Sequence, residues 1–227
     1  AGYGKTTLLM QWHEVLRQQA SEAVVAWLSL DEADGEPQRF LAYLILALDH
    51  AGIELAHLPH LATSQALDVQ PQRTLHALLH ALACENRAIT LFLDDYHLAA
   101  SPDTAGILGQ LLEQAAPWLH WVVASRTRPD WPLARWKAKG WVHEICAREL
   151  TLSLQETHCI LGEALDANTL LQVHESTEGW AVAVQLARLW RSSSDGSAYG
   201  LAALSGGVAD VANYFTTHIF NSLSESC

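Results

Sequence analysis

Length, composition and charge limit the class of protein to which this chain can belong. The chain has 227 residues, which is enough for one large domain or for a medium domain with a smaller one. Half of the residues are apolar and no apolar run approaches the roughly 20 residues of a membrane span, so we expect a soluble globular protein. The formal charge of −12 disfavours tight binding of nucleic acid by these residues.

Cysteine usage and the N-terminal sequence predict a cytoplasmic protein. The four cysteines are widely spaced and form no C-x-x-C pair, so neither a disulfide framework nor a zinc site is predicted. His76 and His80 lie four apart on a predicted helix and could share a metal, but no matching carboxylate or cysteine cluster accompanies them. The opening AGYGKTT lacks the features of a signal peptide. It begins inside a motif, and we expect the chain to be a fragment of a longer protein.

Helices and buried strands alternate along the first part of the chain. Helical spacing of apolar residues predicts a helix directly after the opening glycines, and further helices over residues 37–51, 71–84, 101–116 and 132–139. Short apolar, β-branched runs predict strands over residues 23–30, 89–93, 120–125 and 141–147. Residues 52–70 are predicted to be an irregular connection. The alternation predicts a parallel α/β sheet over residues 1–148.

The pattern becomes helical after about residue 150. Ser153 and Glu156 form a capping-box pattern that begins a helix ending near residue 165. Two more helices are predicted over residues 167–175 and 178–191. A serine-rich linker over residues 193–206 and the start of a further helical segment over residues 207–227 follow. The second predicted domain is therefore a helical cap over residues 149–192.

The opening residues match the second half of the phosphate-binding pattern G-x-x-x-x-G-K-[ST]. Glycines let the backbone bring its N–H groups close to phosphate oxygens, and the following helix points its positive end at the same anion. Lys5 would reach the phosphates and the Thr6 hydroxyl would ligate Mg²⁺. The predicted nucleotide-binding residues in this loop are Gly2, Tyr3, Gly4, Lys5, Thr6 and Thr7. The alternative is a simple glycine turn before an amphipathic helix.

Two acids and two arginines complete the predicted site. The apolar run LFL ends in Asp94 and Asp95. In a P-loop fold the first acid holds Mg²⁺ through water, and the second can position or deprotonate the attacking water. Arg126 follows the next predicted strand and could sense the γ-phosphate, with Arg135 as a weaker candidate. These residues would bind ATP or ADP with Mg²⁺, with Asp95 and Arg126 in catalytic roles and with Thr6 and Asp94 at the metal.

Five segments together resemble one known family. The strings AGYGKTTLLMQW, AWLSLDEADGEPQRFLAYLILAL, LFLDDYHL, ASRTRPDWPLAR and TEGWAVAVQLA occur in an order that resembles the MalT-type signal-transducing (STAND) NTPases, large bacterial transcriptional activators of the LuxR family. The resemblance covers residues 1 to about 222. It implies a P-loop NTPase fold followed by a helical, winged-helix-like segment. It also implies a switch in which an ATP-bound form self-associates and slow hydrolysis returns it to rest.

The resemblance also implies what this sequence lacks. In the family, DNA contact belongs to a C-terminal helix-turn-helix, which these residues do not contain. The first strand of the sheet, which precedes the P-loop, is missing as well. We therefore expect exposed strand edges and poor stability for the chain as written. Two rival functions are a conventional P-loop ATPase or kinase with high turnover and a nucleotide-independent scaffold.

Overall fold

The computed structural model describes residues 2–19, 23–55, 71–162 and 165–192. The predicted linker over residues 193–206, the helical segment over residues 207–227 and most of the irregular connection lie outside these ranges. The strands are β1 (Val24–Ser29), β2 (Ile89–Asp94) and β3 (Leu119–Val123). The helices are α1 (Lys5–Gln19), α2 (Pro37–His50), α3 (Pro71–Cys84), α4 (Tyr96–Ala99), α5 (Pro102–Glu113), α6 (Leu133–Ala138), α7 (Leu154–Leu161), α8 (Ala167–Thr177) and α9 (Ala181–Ser192).

The chain divides into two compact units. The sheet unit is Thr6–Val142, and the helical unit combines Ala1–Lys5 with His143–Cys227. The glycine loop therefore groups with the helical unit, although the helix that it begins belongs almost entirely to the sheet unit. Among the helices within the described ranges, none is long and apolar enough to cross a membrane.

The sheet unit contains a parallel sheet with the order β1-β2-β3. Val24 is in register with Ile89, and Ile89 is in register with Leu119, so the three strands end at the same edge. The larger apolar core packs the sheet against α2, α3 and α5, with Phe40, Leu44 and Leu78 fully buried. Apolar residues therefore cover the sheet on this face, and the predicted parallel α/β architecture is confirmed.

The second face of the sheet is covered by α1. Leu9 is buried in a smaller cluster with Phe92 and Ala124. The Trp12 ring meets the Phe92 ring edge-on at 5.6 Å, and Trp27 stacks on Phe92 at the same distance. The helix predicted after the glycine loop thus forms and packs on the strand that ends in Asp94.

Local capping explains where two helices of the sheet unit begin. Glu36 accepts hydrogen bonds from the first amides of α2, and Pro37 is the first residue of that helix. Ser101 and Thr104 form a reciprocal capping box at the start of α5. The Ser101 hydroxyl also donates to the carbonyl of Gly35 at 2.9 Å, which ties α5 to the loop that follows β1.

The helical unit contains three described helices around a small core. Ser153 caps α7 through the predicted box with Glu156. Buried residues from all three helices meet in this core: Leu161, Val173, Ala183, Val184 and Ala187. Gly179 lies between α8 and α9 at φ +69°, and its carbonyl accepts the Leu152 N–H at 2.8 Å. These three helices lie where the sequence predicts helices after residue 150.

The prediction of a strand over residues 141–147 is wrong. Residues 141–146 have no regular secondary structure, and a short 3-10 turn follows at Ala147–Leu150. Trp141 and Ile145 are 56% and 51% exposed, so the segment is not buried. A strand requires a neighbouring strand as well as β-forming residues, and none of the described strands pairs with this segment.

Candidate nucleotide site

The glycine loop adopts a conformation that requires its glycines. Gly2 and Gly4 have φ values of +73° and +74°, in the left-handed region that favours glycine. The Gly2 carbonyl accepts the Val182 N–H at 3.0 Å. A Cβ at Gly2 would lie 2.8 Å from the Trp180 Nε1 atom and from a Val182 methyl group. The loop is therefore seated on the start of α9 by a contact that leaves no room for a side chain.

Tyr3 and Lys5 lie on either side of Gly4 in this loop. The Tyr3 ring packs 6.4 Å from the Trp180 ring at an interplanar angle of 46°. Lys5, which is half-buried, is the first residue of α1. The first amides of a helix have no partner within it, so this turn offers N–H groups to an anion.

Thr6 and Thr7 belong to the first turn of α1 in the sheet unit and are exposed. No acidic residue occupies this turn. A carboxylate there would compete with a phosphate for the helix N-terminus. The composition of the turn therefore suits an anionic ligand, which the threonine hydroxyl groups of the turn could also contact.

Asp94 is held at the end of β2. It is 3% exposed, and its Oδ1 atom accepts the Asp95 N–H at 3.0 Å. Its backbone carbonyl accepts the Leu30 N–H at 3.1 Å, which extends the pairing with β1 past the last strand residue. Burial of a carboxylate is costly, and this one is placed at the edge where the parallel strands end.

Asp95 takes a left-handed conformation directly after the buried acid. Its φ is +53°, which is uncommon for a residue other than glycine and is found often at functional sites. The side chain is 39% exposed, and its Oδ1 atom lies 3.7 Å from His97 Nδ1. This distance is longer than a hydrogen bond, and His97 Nδ1 is buried without a hydrogen-bond partner among the described residues. The predicted catalytic acid therefore has a partly buried imidazole close to it.

The two predicted arginines differ in their settings. The Ala124 N–H donates to the Leu93 carbonyl at 2.8 Å, and the Tyr96 N–H donates to the Ala124 carbonyl at 3.0 Å. These bonds join the ends of β2 and β3, so Arg126 leaves the sheet at the same edge as Asp94. Arg126 is exposed. Arg135 lies on α6, 63% exposed and 4.0 Å from Glu113, so its described ion pair is with α5 rather than with the acids.

Three residues near the candidate site carry contacts that the motif did not predict. Trp180 and Val182 hold the glycine loop, although they lie about 180 residues away in sequence. His97 lies beside Asp95 on α4. For His97 the sequence carried one signal, its position two residues after Asp95. For Trp180, in the TEGWA segment, and for Val182, no local sequence pattern indicates a contact with the glycine loop.

The donor set fits a magnesium nucleotide. Mg²⁺ prefers oxygen ligands and keeps several waters, so a threonine hydroxyl, a carboxylate and phosphate oxygens suffice. The described residues contain no group of three or more metal-binding side chains, and a magnesium site of this kind does not need one. The buried Asp94 carboxylate and the Thr6 hydroxyl are the oxygen donors that the motif supplies.

A parallel sheet with an acid at a strand end, and a glycine loop that leads into a helix, define an α/β fold of the P-loop NTPase type. The chain is also similar to curated proteins of one kind. The chain is 30% identical over 234 residues (98% of the chain) to the HTH-type transcriptional regulator MalT of Cronobacter sakazakii. It is 33% identical over 207 residues to MalT of Serratia proteamaculans and 32% identical over 217 residues to MalT of Yersinia enterocolitica.

These alignments confirm the resemblance to MalT-type regulators. They cover 87 to 98% of this chain but only 22 to 25% of each relative, so the chain spans about a quarter of their length. No family model matches the chain. The chain is therefore homologous to one segment of these regulators, and the activity of a whole regulator is a matter for proposal.

Proposed function

We propose that this chain is the nucleotide-binding switch module of a MalT-like transcriptional regulator. In this proposal the module binds ATP or ADP with Mg²⁺, and slow hydrolysis converts the active ATP-bound form to the resting ADP-bound form. The observations that carry the proposal are a glycine loop that leads into α1 and a buried acid at the end of β2. The names of the relatives, which are transcriptional regulators, support the regulatory part.

The lengths of α1 and β2 are compatible with one site. Trp12 contacts Phe92, and Thr6 lies six residues earlier on the helix, about 9 Å along its axis. Asp94 lies two residues beyond Phe92, about 7 Å along the strand. Helices between parallel strands run opposite to them, so the helix start and the strand end are expected at the same edge.

Each residue then has a stated role. The backbone around Gly2 and Gly4 would cradle the phosphates, and Lys5 would neutralise their charge. Thr6 would ligate Mg²⁺ directly and Asp94 would hold it through water. Mg²⁺, when bound, withdraws charge from the transferred phosphoryl group.

Three further residues act on the water and on the phosphate. Asp95 would orient the attacking water, and His97 Nδ1 lies 3.7 Å from its carboxylate. Arg126 would interact with the γ-phosphate, which only ATP carries. Arg135 stays a secondary candidate, because its described ion pair holds it to Glu113.

The contact between the loop and α9 supports a switch rather than a simple binding site. A ligand shifts a conformational equilibrium only when it binds two states with different affinity. Here the Gly2 carbonyl is bonded to Val182 and the Tyr3 ring packs on Trp180. A nucleotide that reshapes the loop would therefore alter the start of α9, and ATP and ADP would do so differently.

Thermal unfolding with each nucleotide tests this proposal. A ligand at a hundredfold excess over its Kd raises stability by roughly 2.7 kcal/mol. We expect both ADP and Mg–ATP to raise the unfolding temperature of the wild type and to differ in extent. Lys5→Ala should abolish both shifts, whereas Lys139→Ala, an exposed lysine beside Trp141, should retain them. Equal shifts for wild type and Lys5→Ala would reject the site.

Turnover separates the switch from a conventional enzyme. A regulatory module should hydrolyse ATP far more slowly than the roughly 10 s⁻¹ that is typical of enzymes. Fast steady-state hydrolysis would favour the ATPase or kinase function. In the proposal the ATP form self-associates, and DNA contact is assigned to a helix-turn-helix of the kind that the names of the relatives record.

A further inference from the structure

Asp95 and His97 lie side by side without completing a hydrogen bond. The Asp95 Oδ1 atom is 3.7 Å from His97 Nδ1, which is beyond hydrogen-bond distance. The His97 side chain is 11% exposed, and its Nδ1 atom is buried without a hydrogen-bond partner among the described residues. A buried polar atom without a partner is costly, because it has given up its hydrogen bond to water. The nearest described group that could satisfy this nitrogen is the Asp95 carboxylate.

The Asp95 carboxylate does not have the role that an acid at a helix start usually has. Asp95 is the N-cap residue of α4, where an aspartate side chain normally accepts a hydrogen bond from the second or third amide of the helix. Such a residue is usually extended, but Asp95 has φ 53° and ψ 35°, and its side chain makes no capping bond. The carboxylate is also 39% exposed, so it has room to turn. It is therefore available to His97.

The backbone of α4 fixes His97 beside the acid. The Leu98 N–H donates to the Asp95 carbonyl at 2.9 Å. The Tyr96 N–H donates to the Ala124 carbonyl at 3.0 Å, which anchors the short helix to the end of β3. The Tyr96 side chain is 1% exposed and its ring packs 5.0 Å from the Trp131 ring. The exposed carboxylate is thus the mobile partner of the pair, and the packed imidazole is the fixed one.

A direct hydrogen bond fits the gap between the two side chains better than a bridging water does. Each hydrogen bond is about 2.8 Å long, so two bonds through one water would separate the atoms by about 4.5 Å. The observed separation of 3.7 Å is shorter than that. A movement of about 0.9 Å brings the two atoms to hydrogen-bond distance, and a rotation of the carboxylate supplies it.

We propose that the His97 Nδ1–H group donates a hydrogen bond to the Asp95 carboxylate and so holds this acid toward the attacking water. The inference rests on the proposed function, in which Asp95 orients that water. His97 is then a positioning residue, because it reaches the water only through Asp95. A misplacement of about 1 Å can lower a rate about a hundredfold. Loss of the hydrogen bond should therefore slow hydrolysis and leave nucleotide binding unchanged.

Nitrogen NMR of the histidine rings tests the hydrogen bond without any nucleotide. The hydrogen bonds of the ring determine which of its nitrogens carries the proton. At about pH 8, where free imidazole is neutral, we expect the His97 ring of the wild type to carry a proton on Nδ1. His97→Gln assigns the signal, and Asp95→Ala should move the proton to Nε2, the form that free histidine prefers. A wild-type ring without a proton on Nδ1, or an Nδ1 proton that Asp95→Ala leaves in place, would overturn the inference.

Two amide variants separate the hydrogen bond from simple packing. An asparagine amide can place an N–H group near the position of histidine Nδ1, whereas a glutamine amide places it near that of Nε2. His97→Asn should therefore retain most of the hydrolysis rate at saturating Mg–ATP, and His97→Gln should lower it about 10- to 100-fold. Calorimetry should give both variants the wild-type Kd for Mg–ATP, and circular dichroism verifies folding. Equal rates for the two variants, or a faster rate in His97→Gln, would contradict the positioning role.

A double-mutant cycle shows whether His97 acts through Asp95. The hydrolysis rate is followed as release of labelled phosphate from Mg–ATP. Once Asp95→Ala has removed the acceptor, adding His97→Gln should cost no further rate. Additive losses in a chain that binds Mg–ATP normally would reject the positioning role and leave the proposed function in place. A wild type that binds no Mg–ATP would reject the proposed function, and the positioning role with it.

Discussion

Gly179 packs against the backbone of Leu152 in a left-handed conformation that favours glycine. Its φ is +69°, and a Cβ built there would overlap the Leu152 carbonyl oxygen and lie 3.0 Å from the Leu152 nitrogen. Because these atoms are backbone, they cannot turn away as a side chain would. The same two residues share the hydrogen bond from the Leu152 N–H to the Gly179 carbonyl at 2.8 Å, and the added methyl group would strain it.

The expected cost of Gly179→Ala has two parts. The left-handed conformation costs a residue with a Cβ about 1–2 kcal/mol. Overpacking of a filled site costs typically about 1–3 kcal/mol. Together they predict a loss of about 2–5 kcal/mol in the free energy of unfolding, a large part of the stability of a small unit.

Gly140→Ala is the matched control for this prediction. Gly140 has a φ of +70°, and a Cβ there would meet nothing within 4 Å. It should therefore cost only the conformational part, about 1–2 kcal/mol. Urea unfolding followed by circular dichroism and tryptophan fluorescence measures both variants. If their costs agree within about 0.5 kcal/mol, the packing argument at Leu152 is refuted.

Three further predictions concern stability. Ser101→Ala should cost about 1–2 kcal/mol in urea unfolding, since it removes the α5 cap and the bond to Gly35; an unchanged midpoint would reject this role. Burial lowers the pKa of His13 in the folded protein below the unfolded value of about 6.5. The stability that neutral His13 contributes is therefore full above the unfolded pKa and is lost as pH falls through the folded pKa. His13→Phe should then lose less stability than wild type between about pH 7.5 and about pH 5, and an equal loss would contradict this. Hydrogen bonds from Arg87 lower the pKa of Glu85 to about 2, so its stabilisation is present above the unfolded value and is lost as pH falls toward 2. Glu85→Gln should flatten the acid branch of the unfolding curve, and a branch as steep as that of wild type would exclude this ion pair as a source.

Local patterns predicted most of the described elements. The strands β1 and β2 are short runs of β-branched and apolar residues between polar turns, and both formed within a residue or two of prediction. The start of α5 was specified by Ser101 and the proline after it. In each case the determining interaction lies within one turn or one strand, where a sequence pattern can represent it.

Features that depend on distant residues could not be predicted in this way. Residues 141–147 have strand-forming side chains but pair with none of the described strands, so the pattern alone was misleading. The motif predicted Gly2 to be a phosphate-loop residue, yet its contacts with Trp180 and Val182 arise only from the fold. The left-handed conformation of Asp95 was equally invisible, because the signal of two adjacent acids carries no backbone geometry.

Calorimetric titration of the folded chain with Mg–ATP, ADP and magnesium-free ATP tests nucleotide binding most directly. The account predicts that wild type binds all three, that Lys5→Ala binds none, and that Asp94→Asn loses the difference between Mg–ATP and magnesium-free ATP. The reason is that in the proposed site Lys5 would contact the phosphates, whereas Asp94 would act only through the metal. A folded wild type that binds no nucleotide, or a Lys5→Ala variant that binds as tightly as wild type, would contradict the account.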